Sequence, residues 1–256
     1  MSTELALAAL LGAALAFVGL LGLCAQGLLP VLLSSVLLPL AFMAILASLH
    51  GLLPASDGRP LVRRHGFWLL SVEGVLGLPA LGAHGLFDPW ESHYGEVARE
   101  MLARHDAVSP FWAHEGLFTS KPVLLFWMSA LSMRALGLNP EPGRMLDGIG
   151  GRVAQPEWAV RAPIFVVAAV ALYVLYKCLA PALGRRAAAC GALLVASSSL
   201  WVLLSHQATT DMPLVAFLTA AMGLFFRAMT TDEGALLVVR EVRLRGVVLR
   251  VHGAQL

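Results

Sequence analysis

Acidic side chains beside long apolar segments are the groups in this sequence best suited to chemistry. Residues 87–102 read FDPWESHYGEVAREML and carry Asp88 and Glu91 three positions apart, directly after an apolar segment. Asp211 stands between two later apolar segments. Carboxylates at membrane depth are costly and usually face a polar cavity. On one shared face these groups could take a proton from a substrate or hold a divalent cation, with Glu91 and Asp211 as the candidate metal ligands.

Each of these carboxylates also has a structural explanation. Asp88 precedes Pro89, and an Asp before a Pro at the first helical position is a common start of a helix. Glu91 would then lie in the first turn, where a negative charge favours the positive helix end. Asp211 marks the start of another apolar helix. The residues alone leave the structural and the functional explanations open.

Other ionisable side chains give weaker signals. Lys121 opens a short apolar segment, where it could reach lipid headgroups or bind the phosphate of a lipid-linked substrate. The spacing of His93, His105 and His114 matches no standard zinc motif, so we expect solvated histidines. Glu73 lies inside an apolar segment and should be protonated or paired with a polar residue of a neighbouring helix.

The composition indicates an all-α polytopic membrane protein. Hydrophobic residues make up 58% of the chain and charged residues only 13%, whereas soluble proteins carry about 25% charged residues. The formal net charge of +2 is too small to indicate nucleic-acid binding. Cys24, Cys178 and Cys190 lie far apart in or beside apolar segments, so we expect buried thiols and no disulfide or metal role.

Six apolar windows are candidates for crossing a bilayer, which takes about 20 residues. The first lacks a basic flank and is followed at once by a second, so we expect a retained helix and not a signal peptide. The windows are Leu5–Leu23, Leu28–Leu53, Phe67–Ala83, Trp158–Leu179, Ala187–Leu204 and Met212–Met229.

Basic residues in the short connections predict the orientation of these spans. The connection with Arg59, Arg63 and Arg64 should be cytoplasmic, as should the turn at residues 177–186 and the tail after Arg227. These three basic connections lie on the same side of the membrane only if the segment 122–136 does not cross the bilayer. We therefore expect that segment to be a helix on the outer surface, with the acidic residues on the outer face.

The long region between the third and fourth spans should carry a second surface helix. Its apolar residues Tyr94, Val97, Ala98, Met101 and Leu102 recur at helical spacing, and Glu96, Arg99, Glu100 and Arg104 occupy the other faces. The expected organisation is two extra N-terminal spans over 1–65, a transmembrane core over 66–229 with its outer loop at 85–157, and a basic cytoplasmic tail over 230–256. Residues 236–251 of that tail partly alternate as a strand would, and a surface helix or an aberrant end is the alternative.

Four motifs in order over roughly residues 88–226 resemble one family. They are the segment from Trp90 to Leu102, Lys121-Pro122 followed by apolar residues and Phe126-Trp127, Arg161 at the start of a span, and Asp211-Met212-Pro213. Together they resemble the polytopic C-type glycosyltransferases that use a polyprenyl-phosphate-linked sugar, which include protein O-mannosyltransferases and the lipid A aminoarabinose transferase.

The resemblance implies transfer of the sugar to a hydroxyl of a lipid, glycan or protein at the outer face of the inner (plasma) membrane. Glu91 or Asp88 would act as base or metal ligand, and Asp211 as the partner carboxylate. Lys121 and Arg161 would bind the lipid phosphate, with His93 and Tyr94 in support. No cofactor is certain, although a divalent cation fits the pattern; membrane lipids are expected partners and nucleic acid is not.

Two departures from the family pattern keep alternatives open. Trp90 stands where the family usually has Asp, and Ser120 stands where some relatives have Glu. The chain also ends after six expected spans, so a shortened, inactive relative that only binds lipid-linked sugar or a partner is one alternative. An ion-coupled transporter that uses Glu73 and Asp211 is another, although no repeat or pair of broken helices supports it.

Overall fold

A computed structural model describes residues 3–52, 59–231, 238–244 and 247–253. Within these ranges the regular secondary structure is helical apart from two small antiparallel strand pairs. The helices are α1 (Thr3–Ala25), α2 (Val31–Leu52), α3 (His65–Gly77), α4 (Trp90–Ala103), α5 (Leu124–Ala135), α6 (Pro156–Leu183), α7 (Arg185–Ala196), α8 (Ser199–Ser205) and α9 (Asp211–Met229). The strands are β1 (Phe111–Trp112), β2 (Gly116–Leu117), β3 (Val238–Leu244) and β4 (Val247–Gly253).

Four of these helices are long and apolar enough to cross a membrane. They are α1, α2, α6 and α9, and α7 with α8 would add a fifth if the bent pair is one span. The length of each follows from uninterrupted apolar sequence, because a helix gains about 1.5 Å per residue and must cover about 30 Å of hydrocarbon. The predicted class of an all-α polytopic membrane protein is confirmed.

The third predicted span, Phe67–Ala83, differs from a simple helix. Its α-helical part, α3, has only 13 residues and continues as a 3₁₀ helix over Leu78–Gly82. Pro79 removes a backbone donor at this point, so the α-helical ladder cannot continue. Because a 3₁₀ helix rises about 2 Å per residue, the two pieces together still extend about 30 Å.

The fifth predicted span, Ala187–Leu204, is divided into two helices. Helices α7 and α8 meet at an angle of 67°. Ser198 at the break has an extended backbone, and its hydroxyl accepts a hydrogen bond from the N–H of Trp201 at 3.4 Å. This side chain begins a new helix and so interrupts the old one.

Helix α6 is the central element and packs against α1, α3, α5, α7 and α9. Glycines let α3 and its 3₁₀ extension approach it closely. A Cβ atom at Gly77 would lie 2.3 Å from the ring of Phe165, and one at Gly82 would lie 2.3 Å from the ring of Trp158. Small residues at such interfaces are what helices in a membrane use to bring their backbones together.

One end of the helix bundle gathers three connections, and we call it the loop end: the turn 26–30, the segment 83–155 and the turn 206–210. Gln26 joins the first two, since its amide Nε2 donates to the carbonyls of Leu136 (3.1 Å) and Gly137 (2.8 Å) and its Oε1 accepts from the N–H of Ile149 (3.2 Å). The side chain of Gln26 is 4% exposed, so these bonds are made out of reach of solvent.

The opposite end of the bundle is basic. Arg64 directly precedes α3, where Gly66 lies against the rings of Tyr173 and Tyr176 in the second half of α6. Arg185 begins α7 directly after α6, and Arg227 in the last turn of α9 lies within electrostatic range of Cys178 on α6. The fold therefore separates the basic connections from the acidic segment 87–102.

Within segment 83–155, α4 packs against α5, and α5 packs against α6. Helix α5 buries Leu125, Phe126 and Met133 but leaves Trp127 and Leu131 46% and 70% exposed, so it is apolar on both faces. Its 12 residues are too short to cross a bilayer, as the charge pattern predicted. In the tail, β3 and β4 pair antiparallel from Val238 opposite Gly253 to Leu244 opposite Val247, so the strand alternative is the one found there.

Candidate functional site

A buried ion pair between Glu91 and Arg161 forms the centre of the loop end. Arg161 donates from Nε to Glu91 Oε1 at 2.9 Å and from Nη2 to Glu91 Oε2 at 2.7 Å. Both residues have 0% of their surface exposed. The pair is bidentate, the geometry in which a guanidinium and a carboxylate bind most strongly.

Each partner also uses its remaining hydrogen-bonding capacity. Glu91 accepts from the N–H of Phe87 at 2.9 Å and from the N–H of Ala208 at 2.7 Å, so each carboxylate oxygen receives two bonds. Arg161 donates its other N–H groups to the carbonyls of Leu81, His84 and Gly85, each at 2.8 Å. The pair thus joins α4 and α6 to the chain before α4 and to the turn after α8.

This environment fixes the charge of Glu91. Burial alone raises the pKa of its carboxyl, but the hydrogen bonds from Arg161, Phe87 and Ala208 and the charge of Arg161 outweigh burial, so the pKa lies below its usual range. The carboxylate is ionised at neutral pH, yet it has no vacant lone pair directed at solvent. Its roles as base or metal ligand, and the role of Arg161 toward phosphate, stay predictions that require some of these bonds to open.

Asp88 and Asp211 are the exposed carboxylates of the site. The Asp88 Oδ1 atom accepts from the Ser92 hydroxyl at 2.8 Å and caps no backbone N–H, because Pro89 occupies the N-cap position of α4. Asp211 is the first residue of α9, after Thr210 at the N-cap, and likewise makes no capping bond. Asp211 begins α9, as predicted, but among the described residues neither carboxylate caps a backbone N–H. Both carboxylates are exposed and so accessible to other partners.

Lys121 lies three residues before the start of α5, so it precedes that helix instead of opening it. It is exposed and forms no ion pair with the described residues. Phe118 nearby is buried and packs its ring against those of His93 and Tyr94, with centroids 4.7 and 6.4 Å apart, which connects this part of the chain to α4.

His93 and Tyr94 belong to an aromatic cluster on α4. The His93 ring stacks on Trp112 of β1 with centroids 3.8 Å apart, so the expectation of a solvated side chain is wrong for this histidine. Burial lowers the pKa of His93; Glu115 opposes this and His114 adds to it. Tyr94 is buried against Phe118 and Phe126. Both side chains therefore hold the β1–β2 hairpin and α5 on α4.

Arg99 is a second buried cation that the sequence pattern placed on an exposed face. It is 5% exposed and binds both oxygens of Glu96 at 2.7 Å, one oxygen of Glu100 and the carbonyl of Pro140. The hydrogen bonds to Glu96 raise the pKa of Arg99 despite its burial. The Glu96–Arg99 spacing of three residues is a signal for such a pair on a helix, but it does not disclose burial by the loop at Pro140.

No group of three or more His, Cys, Asp or Glu side chains converges to hold a metal ion within the described residues. The two predicted metal ligands differ in how accessible they are. Both carboxylate oxygens of Glu91 already accept hydrogen bonds, whereas the carboxylate of Asp211 is exposed. A divalent cation would need oxygen ligands from elsewhere in addition to Asp211.

These features define a polytopic helical membrane protein with a charged, carboxylate-bearing site at one end of its bundle. Residues 120–242 match the family model described as dolichyl-phosphate-mannose-protein mannosyltransferase. This match begins next to Lys121 and includes Arg161 and Asp211. It supports a C-type glycosyltransferase family and confirms the resemblance predicted from the motifs.

Curated relatives point to the same family. One similar protein is undecaprenyl phosphate-α-4-amino-4-deoxy-L-arabinose arabinosyl transferase 2 of Pseudomonas fluorescens (strain Pf0-1), 35% identical over 71 residues, which are 28% of this chain and 13% of that protein. The transferase of the same name, without the number, from Pseudomonas paraeruginosa (strain DSM 24068 / PA7) is 38% identical over the same shares. The matched part thus spans about one eighth of these relatives. No solved structure matches the chain significantly.

Proposed function

We propose that this chain transfers a sugar from a polyprenyl phosphate to an acceptor hydroxyl at the outer face of the membrane. The observation that carries the proposal is a pair of exposed carboxylates next to the elements that hold the buried Glu91–Arg161 pair, in a chain similar to polyprenyl-phosphate-dependent transferases. Asp88 lies three residues before Glu91, and Asp211 lies three residues after Ala208, whose N–H binds Glu91. The acceptor is a lipid, a glycan or a protein.

Transfer needs a base, and Asp88 is the carboxylate best placed to serve. It is exposed and accepts one side-chain hydrogen bond, whereas Glu91 accepts four. The acceptor oxygen forms a bond to the anomeric carbon, the bond from that carbon to the phosphate oxygen breaks, and the acceptor proton passes to Asp88. Direct displacement of this kind inverts the anomeric centre. Asp211 would orient the acceptor hydroxyl.

The leaving phosphate needs a positive charge, and Lys121 is an exposed cation that forms no ion pair with the described residues. Arg161 already donates all five of its N–H groups to Glu91 and to three carbonyls, so it holds the site together more readily than it binds substrate. The apolar faces of α5 would let the prenyl chain remain in lipid while its phosphate reaches Lys121.

The test is transfer from radiolabelled polyprenyl-phosphate sugars by the purified chain in proteoliposomes. We expect Asp88→Asn to lower turnover by about 10²-fold or more, the size of a general-base contribution, and Lys121→Gln to weaken donor binding. Asp147→Asn is the matched control, because Asp147 is an exposed carboxylate of the same loop. Wild-type turnover in Asp88→Asn would remove Asp88 from the mechanism, and donor binding without any transfer by the wild type would support the binding-only alternative.

A further inference from the structure

A cavity of about 240 Å³ lies beside α4, on the side of Arg99 and away from the Glu91–Arg161 pair. Its polar wall is Glu96 and Arg99 of α4, and its other wall is the loop formed by Pro142, Gly143, Met145 and Leu146. The volume is below the roughly 300–1,000 Å³ of sites for drug-sized ligands, so the cavity suits a ligand of about one ring.

The polar wall of the cavity offers both a hydrogen-bond donor, Arg99, and an acceptor, Glu96. Arg99 uses one N–H of Nη1 for the carbonyl of Pro140, which leaves the second N–H of that nitrogen without an acceptor among the described residues. Each oxygen of Glu96 accepts one bond from Arg99 and keeps a free lone pair. The side chain of Glu96 is 38% exposed, so it can reach a ligand that enters from solvent.

The charges and the apolar groups of the cavity narrow the ligand class. Two carboxylates, Glu96 and Glu100, surround one guanidinium, so the cavity repels a phosphate. Hydroxyl groups suit this wall, because each can donate to a carboxylate oxygen and accept from a guanidinium N–H. Pro142, Met145 and Leu146 would cover the apolar C–H face of a ring.

We propose that this cavity is a binding subsite for one pyranose unit, separate from the reacting centre. Along α4, Glu96 and Arg99 lie five and eight residues after Glu91, about 8 to 12 Å along the helix axis. The inference rests on the proposed function for the source of the sugar, which is either the lipid-linked donor or a neighbouring residue of an acceptor glycan.

Saturation-transfer NMR on the full chain in detergent tests the subsite directly. The probes are the methyl α-pyranosides of mannose, glucose, galactose and 4-amino-4-deoxyarabinose. We expect at least one to bind and its affinity to fall at least tenfold in Leu146→Trp, which fills the cavity. Ile149→Trp should bind as the wild type does, since Ile149 is 62% exposed on the same loop and does not line the cavity. Leu146 is 57% exposed, so its replacement should leave the fold intact.

Absence of binding by all four probes, or equal binding by wild type and Leu146→Trp, would overturn the subsite. Glu96→Gln gives an independent check, because it removes the charge and one of the two acceptor oxygens of the polar wall, and it should weaken the bound probe as well. Displacement of the probe by polyprenyl-phosphate mannose assigns the subsite to the donor, and retention assigns it to the acceptor. Transfer with unaltered probe binding in Leu146→Trp would refute the subsite alone, whereas probe binding without transfer would refute the proposed function alone.

Discussion

At the scale of single residues, Glu91 lies where a catalytic carboxylate was predicted, but both of its carboxylate oxygens already accept two hydrogen bonds each. A buried charge is tolerated only when it is paired and hydrogen-bonded, and Glu91 meets that condition through Arg161 and the N–H groups of Phe87 and Ala208. Removing one partner of such a pair leaves the other as an uncompensated buried charge. Glu91 should therefore control stability as well as activity.

Glu91→Gln is expected to lower the free energy of unfolding by about 3–5 kcal/mol, because the charge of Arg161 loses its counterion in a site without solvent. Thermal unfolding in detergent, followed by tryptophan fluorescence, measures this. Combining it with Arg161→Gln should cost less than the sum of the two single changes. Asp88→Asn is the matched control and should stay within about 0.5 kcal/mol of wild type. A wild-type stability of Glu91→Gln would show that the pair contributes little.

The lowered pKa of Glu91 also predicts how stability depends on pH. Its carboxyl has a lower pKa in the folded chain than the value of about 4.3 expected when unfolded. The stabilisation is therefore complete above about pH 4.3 and is lost as the pH falls through the folded-state pKa. Unfolding temperatures between pH 7 and pH 3 should drop more steeply in wild type than in Glu91→Gln. Parallel curves would contradict this assignment.

At the scale of elements, the close contact between α3 and α6 depends on a glycine, Gly77, which has no side chain to separate the two helices. Gly77 ends α3 where the ring of Phe165 and Nε2 of His206 come close, and the carbonyl of Gly77 lies 3.1 Å from that same nitrogen. The α3 helix and the turn after α8 thus meet at a point where one methyl group would not fit. This contact sets the position of the turn that contains Ala208, and hence of its bond to Glu91.

Gly77→Ala is expected to lower the free energy of unfolding by about 1–3 kcal/mol, the usual cost of overpacking a filled interior. Its added Cβ would lie 2.3 Å from Phe165. Gly19→Ala in α1 is the control, because nothing lies within 4 Å of its added Cβ and alanine favours a helix by up to about 1 kcal/mol. Thermal unfolding of the two variants should shift in opposite directions, and an unchanged unfolding temperature of Gly77→Ala would contradict the packing argument.

At the scale of the whole molecule, the two ends of the bundle differ in charge and in complexity. The loop end contains Glu91, Asp88 and Asp211, whereas the opposite end contains Arg64, Arg185 and Arg227. Basic residues in short connections favour the cytoplasmic side of a membrane. The chain should therefore insert with its loop end outward, which gives the site access to acceptors on that side.

Cysteine labelling in whole cells measures this orientation. Cys190 is the exposed thiol among the described residues and is first replaced by Ser, whereas Cys24 and Cys178 are buried. Val108→Cys in segment 83–155 should react with a membrane-impermeant maleimide in intact cells. Thr230→Cys, just after α9, should react only after permeabilisation. Labelling of both positions from the same side would contradict the predicted topology.

How much of the fold could be predicted from the sequence depends on how far apart in the sequence the interacting residues lie. Apolar length alone predicted α1, α2, α6 and α9 to within a few residues, because crossing a bilayer is a strong and local requirement. The break at Ser198 was missed because one hydroxyl competes with the backbone there. The partners of Glu91 were out of reach, since Arg161 and Ala208 lie 70 and 117 residues away in sequence.

The amide of Gln26 has a consequence for how the molecule is made. Its partners Leu136, Gly137 and Ile149 follow it by 110 to 123 residues. At synthesis rates of about 5–20 residues per second, the ribosome needs roughly 6–25 seconds to supply them. For most of that interval the hairpin of α1 and α2, which ends at Leu52, has been synthesised, whereas the backbone groups that bind the Gln26 side chain have not. An insertase or chaperone has this window in which to hold the hairpin, and the loop end can close only when most of the chain has been translated.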